Sequence, residues 1–175
     1  MKCLTRSTLA LAIAVVAAGC GSSTPTTPST PTKPTFTADL RTSNEVPPIA
    51  NAESAGTGSA TITFDITRDA ANNITAATAT FVVNLSGFPA GTPINIAHIH
   101  QAAAGTNGAV VVSTSLAAGE VTLANGTGSF TKAGIAVTPV DLVTQILNSP
   151  AGFYFNAHST LNPGGVVRGQ LVRVQ

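Results

Sequence analysis

Ala60-Thr61-Ile62-Thr63-Phe64-Asp65-Ile66 alternates strictly, with Ile62, Phe64 and Ile66 on one face of an extended chain and Thr61, Thr63 and Asp65 on the other. That parity predicts a half-buried strand. Asp69 to Asn73 is a cluster of turn residues, and Ile74 to Leu85 resumes as a second long strand, so the two are expected to form a hairpin. Phe36 to Leu40, Ile94 to His100, Ala109 to Ser113, Gly119 to Leu123 and Gly128 to Thr131 carry the same strand signature between Gly, Asn and Pro punctuation. Two further strands, Phe153 to Ser159 and Val166 to Val174, flank the turn-forming Asn162-Pro163-Gly164-Gly165. One segment departs from this pattern. Leu142, Val143, Ile146 and Leu147 fall at helical spacing behind Thr138, with Pro139 in the first turn and Asp141 placed for a capping box. A short helix ending near Asn148 is expected, because Pro150 disfavours its continuation, and it should pack as a lid on one end or edge of the sheets. The predicted class is all-β, an antiparallel sandwich or Greek-key-like barrel with one short helix.

The first 35 residues read differently. Lys2 and Arg6 make a basic start, Leu9 to Val16 is apolar but too short to span a bilayer, and Ala17-Ala18-Gly19-Cys20 follows. This resembles a bacterial lipoprotein signal, which is cleaved before the cysteine and lipidated on its thiol; Ala17 stands where leucine is commoner. An ordinary secretory signal with an incidental cysteine is the alternative. The other cysteine, Cys3, lies in the segment to be removed, so Cys20 has no disulfide partner. Gly21 to Thr35 is almost wholly Ser, Thr and Pro, with Pro25, Pro28, Pro31 and Pro34 at every third position. Such a segment is extended and solvated, reaching up to about 45 Å at roughly 3.1 Å per residue. Residues 1–19 are thus expected to be a signal peptide, 20–35 a lipidated cysteine and tether, and 36–175 one folded domain. The expected location is the extracytoplasmic side of a bacterial cell envelope, at the outer membrane if the host has two, because Gly21 rather than aspartate follows Cys20.

Charge narrows the partners. Of 8 basic residues, Lys2 and Arg6 leave with the signal, so 6 face 7 acidic ones, and nothing steers nucleic acid. The absence of tryptophan argues against a carbohydrate-stacking platform. No Gly-X-Ser-X-Gly elbow or phosphate-loop context is present, and no catalytic residue is assigned. Ala102 to Gly108 reads as a mobile loop.

All three histidines fall in two predicted strands. His98 and His100 point to one face, with Cα atoms about 7 Å apart, while Ala97 and Ile99 face the other way. In the later strand Phe153, Phe155 and Ala157 share the core face, leaving Tyr154, Asn156 and His158 opposite. If the strands are close, His98, His100 and His158 make a three-imidazole set suited to zinc, copper, nickel or iron. Histidines that donate to backbone carbonyls or to a neighbouring carboxylate and simply hold loops together are the plainer alternative, and a partner-binding surface is the third.

Asn44-Glu45-Val46-Pro47-Pro48, Ala97-His98-Ile99-His100-Gln101 with Gly105 and Gly108, and Asn156-Ala157-His158-Ser159 leading to Asn162-Pro163-Gly164-Gly165-Val166-Val167-Arg168-Gly169-Gln170-Leu171 closely resemble the three signature blocks of the chordin-domain (CHRD) family. The resemblance implies an extracellular β-rich domain, found in the animal protein chordin and in many exported bacterial proteins, and no established reaction. Ala102 replaces the family's usual first glycine after the His-X-His pair, and Val166 replaces a glutamate. Any role needing a carboxylate then falls to Glu45, whose alternative use is as buried partner of Arg168, holding the first and last blocks together. A more distant similarity, to the copper half of copper/zinc superoxide dismutase, implies His98, His100 and His158 as copper ligands and Arg168 as an anion-guiding cation. The zinc-loop ligands and bridging histidine of that family have no counterpart.

Two functional readings follow. The first is a lipid-anchored, non-enzymatic CHRD-domain module that binds a protein partner or organises the envelope. The second is a mononuclear copper or zinc site at His98, His100 and His158 used for metal handling or redox defence.

Overall fold

A computed structural model describes residues 33–175; the expected signal, Cys20 and most of the tether lie outside the described residues. Ten strands follow in chain order: β1 (Thr35–Arg41), β2 (Thr57–Arg68), β3 (Ile74–Ser86), β4 (Thr92–Gln101), β5 (Ala109–Ser113), β6 (Val121–Leu123), β7 (Gly128–Ala136), β8 (Phe153–Ser159), β9 (Val167–Gln170) and β10 (Val172–Arg173). Among the described residues one α-helix, α1 (Asp141–Asn148), precedes β8, together with two short 3-10 turns, Thr42–Asn44 and Pro150–Gly152. All strand pairs are antiparallel and run β5-β4-β8-β9-β1-β2-β3-β7, with β6 also on β4 and β10 on β1, as a nearly closed barrel or sandwich. The all-β expectation holds. Among the described residues no helix is long and apolar enough to cross a membrane.

Period-two burial builds the core. Phe36, Ala38 and Leu40 of β1, Ala60, Ile62 and Phe64 of β2, and Ala79, Phe81 and Val83 of β3 all point inward. The β2/β3 hairpin forms as its alternation predicts, and its turn is tied by Asp69, whose Oδ1 accepts the Ala71 and Asn73 amides at 2.9 and 2.8 Å. Pro34 and Thr35, read from sequence as tether, already belong to the domain: the Phe64 amide donates to the Pro34 carbonyl at 2.9 Å, and Thr35 opens β1.

Three local expectations are corrected. Thr138 and Asp141 form no capping box. Helix α1 begins after Val140, and the amides of Leu142 and Val143 are taken by the carbonyls of Pro139 and Val140, a backbone turn that occupies the donors a cap would have met. Its stripe of Leu142, Val143 and Ile146 is buried in the core. Strand β7 runs on to Ala136, because a register shift opposite Ala79–Phe81, with Gly134 at φ 69°, absorbs the break in alternation. The expected strand from Val166 to Val174 divides at Leu171, which is buried and donates to the Phe153 carbonyl, so that β9 pairs with β8 while β10 turns to β1.

Strand β8 lies between β4 and β9, and all seven of its residues are buried. Phe153, Phe155 and Ala157 enter the core. The opposite face, with Tyr154, Asn156 and His158, is buried too, because loops lie over it. That second buried face holds the candidate site.

Candidate metal centre

Register brings the three histidines together. On β4 and β8, Ile96 pairs with His158, His98 with Asn156 and His100 with Tyr154. His158 is therefore two residue pairs along from His98, on the same face. Ring centroids lie 4.6 Å apart for His98–His100, 4.5 Å for His98–His158 and 6.1 Å for His100–His158. One nitrogen from each ring falls within 4.8 Å of the other two. Three points so spaced have a common point within about 2.8 Å of each, under 1 Å longer than a zinc–imidazole bond of about 2.0–2.1 Å.

Backbone carbonyls orient two of the rings. His100 Nδ1 lies 2.9 Å from the Gly108 carbonyl oxygen and His158 Nδ1 2.9 Å from that of Pro163. A carbonyl can only accept, so in both rings Nδ1 carries the proton and the neutral Nε2 keeps its lone pair. Both Nε2 atoms are buried and have no hydrogen-bond partner. All three histidines are at least nine-tenths buried, and burial pushes each pKa down, His98 to about 3, with the other two rings adding to the effect there. Burial thus favours the neutral imidazole, the form that ligates metal.

The loop expected to be mobile, Ala102 to Gly108, is pinned. Gln170 Nε2 donates to the Ala102 carbonyl at 3.1 Å, Arg168 Nη1 to Thr106 O at 3.2 Å and to Asn107 Oδ1 at 2.9 Å, and the Gly108 amide to the Tyr154 hydroxyl at 3.2 Å. Tyr154 in turn stacks on His100 at 4.7 Å and 3°, with the Arg168 guanidinium 4.8 Å from its ring centre. Thus β9 and β8 together hold the carbonyl that orients His100.

Arg168 and Glu45 meet, but loosely: Nε lies 3.7 Å from Oε2, and both side chains are buried. The bonds that join the first and last blocks run instead through Asn44, whose carbonyl accepts from Arg168 Nε at 2.5 Å and whose Nδ2 donates to the Arg168 carbonyl at 3.0 Å. Arg168 is only 3% exposed and spends its Nε and Nη1 donors on these loops, an architectural use of the charge. Burial pushes the Glu45 carboxyl up from 4.5 to about 7, against the opposing pull of Arg168. Because the folded state holds this proton more tightly than the unfolded chain, the contribution is fully present below pH 4.5 and is lost as pH rises through about 7. Glu45→Gln removes the titration, so its unfolding free energy relative to the parent is expected to climb by a few kcal/mol between pH 4.5 and 8. Denaturant titrations across that range check the slope; a constant difference would contradict it. Gly165, at φ 130°, packs against this group, and a Cβ there would lie 2.9 Å from Glu45 Oε2 and 2.5 Å from Asn156 Nδ2.

Sequence reasoning missed Glu53. It is 3% exposed, and its Oε2 accepts from Ser159 Oγ and from Asn162 Nδ2, both at 2.5 Å. Nothing in a lone acidic residue between Ala52 and Ser54 signals this.

The CHRD domain family model matches residues 36–171, most of the 175-residue chain. The chain belongs to the CHRD domain family. Its three signature blocks are the parts that meet here: Asn44 and Glu45 from the first, His98 and His100 from the second, His158 and Arg168 from the third. CHRD membership supports a binding or structural module. Searches of curated proteins and of solved structures return no match to the chain.

Proposed function

We propose that this chain is an exported, lipid-anchored binding module of the bacterial cell envelope, and that its CHRD domain retains one copper or zinc ion at His98, His100 and His158. The observation that carries the metal reading is the pair of buried, unpartnered Nε2 atoms on His100 and His158, whose Nδ1 atoms are taken by carbonyls, in rings that each offer a nitrogen within 4.8 Å of the others. Leaving such acceptors buried without a partner costs about 1–3 kcal/mol each, and a cation bound by both would offset that cost. Metal-ligating histidines commonly donate their other N–H to a backbone carbonyl in this way. Bound here, copper or zinc would supply a positive centre linking β4 to β8. The reading is of retention rather than turnover, since the Arg168 cation that would steer an anionic substrate is buried under the loops. Lys2, Arg6, the apolar run and Ala17-Ala18-Gly19-Cys20 support export and anchoring. A mature N-terminus at Cys20 with the mass of an attached diacylglycerol tests that part.

The chain contains one tyrosine and no tryptophan, and that tyrosine stacks on His100. Tyrosine emission therefore reports on the site directly. Titration with copper(II) is expected to quench Tyr154 with a break at one equivalent. Emission that is unchanged, or that declines without a break, would refute the metal reading.

A further inference from the structure

We infer that Glu53, a residue with no assigned role, positions His158 by clamping the turn that supplies its carbonyl partner; the consequence for metal rests on the reading above. Three bonds make the clamp. Ser159 Oγ donates to Glu53 Oε2 at 2.5 Å, Asn162 Nδ2 donates to the same oxygen at 2.5 Å, and the Asn162 amide donates to Ser159 Oγ at 3.0 Å. The next residue is Pro163, whose carbonyl takes His158 Nδ1. Glu53 is itself held, its amide donating to Asn51 Oδ1 at 3.0 Å and its carbonyl accepting the Gly56 amide at 2.9 Å. A carboxylate suits the position because one oxygen can accept two charge-assisted bonds. Both donors lie between His158 and Pro163 in the chain, so the clamp fixes the height of the Pro163 carbonyl relative to β8. Without it the turn keeps only its link to Asn51, whose Nδ2 donates to Asn162 Oδ1 at 2.8 Å, and the His158 proton is no longer confined to Nδ1 with the Nε2 lone pair left free.

The test uses the full chain in detergent, with copper(II) as the probe and with long-range nitrogen NMR of the histidine rings recorded on the metal-free protein. In the parent His158 is expected to be protonated on Nδ1 alone. Glu53→Ala should populate the Nε2–H form and weaken copper binding about 10-fold, the low end of the loss on removing a ligand's own hydrogen-bond partner, because Glu53 acts through the turn. Glu53→Gln keeps one oxygen able to accept both bonds and should restore the Nδ1 form and most of the affinity. His158 protonated solely on Nδ1 in Glu53→Ala, with copper affinity unchanged wherever the parent binds it, would overturn the assignment, even if the variant melted earlier. Should the parent bind no copper, the metal reading fails while the tautomer comparison still decides the positioning role. If Glu53→Ala does not fold, Ser159→Ala and Asn162→Ala, each removing one donor, carry the same comparison.

Discussion

Arg168→Ala is expected to lower the unfolding free energy by about 3–5 kcal/mol, because three acceptors lose their donor at a cost of about 1–3 kcal/mol each. Glu45 would keep its place in the fold with no cation near it. The carbonyls of Asn44 and Thr106 and the Asn107 side chain would lose their donor, and Tyr154 the guanidinium beside its ring. Arg168→Lys should recover little, because one ammonium cannot span the Asn44 carbonyl on one side and the 106–107 loop on the other as the guanidinium does. Urea unfolding reads the effect as a lowered midpoint with an unchanged slope. A loss below about 1 kcal/mol would mean that Arg168 behaves as a surface charge, contrary to its buried bonds with Asn44, Thr106 and Asn107.

Replacing His98, His100 or His158 singly by alanine is expected to weaken copper or zinc binding by more than about 100-fold, since each substitution removes a ligand rather than an outer partner of one. The three positions should be equivalent in this respect although their surroundings differ. His100 and His158 also hold loop carbonyls, so their alanine variants should lose stability through the freed Gly108 and Pro163 oxygens as well. Quenching of Tyr154 gives the affinities. Parent-like binding by any one variant would remove that residue from the site.

Much of this arrangement was legible from residue order. Strict alternation in Ala60–Ile66, a turn cluster beginning at Asp69 and a second alternating run define the β2/β3 hairpin before any coordinates. Parity within β4 and β8 separates His98, His100 and His158 from Ile99 and Phe155, and only the closeness of the two strands had to be supplied by the fold. Helix α1 starts two residues beyond a Thr138 cap because the backbone turn at Pro139 and Val140 takes the amides of Leu142 and Val143, and local sequence does not distinguish such a turn from a side-chain cap. Pinning of the Ala102–Gly108 loop was not legible either, since its anchors, Arg168 and Gln170, lie more than 60 positions away in sequence. Glu53 and Asn162 are 109 positions apart, and neither carries a local pattern that names the other. What the sequence conveys is parity and punctuation; what it withholds is which loop folds back over which strand.

If three imidazoles share one ion, X-ray absorption on protein loaded with a single equivalent of zinc should show three imidazole nitrogens at about 2.0–2.1 Å from the metal, lost when both His98 and His158 are alanine. A shell of oxygen scatterers alone, or a spectrum that the double substitution leaves unchanged, would contradict the shared site.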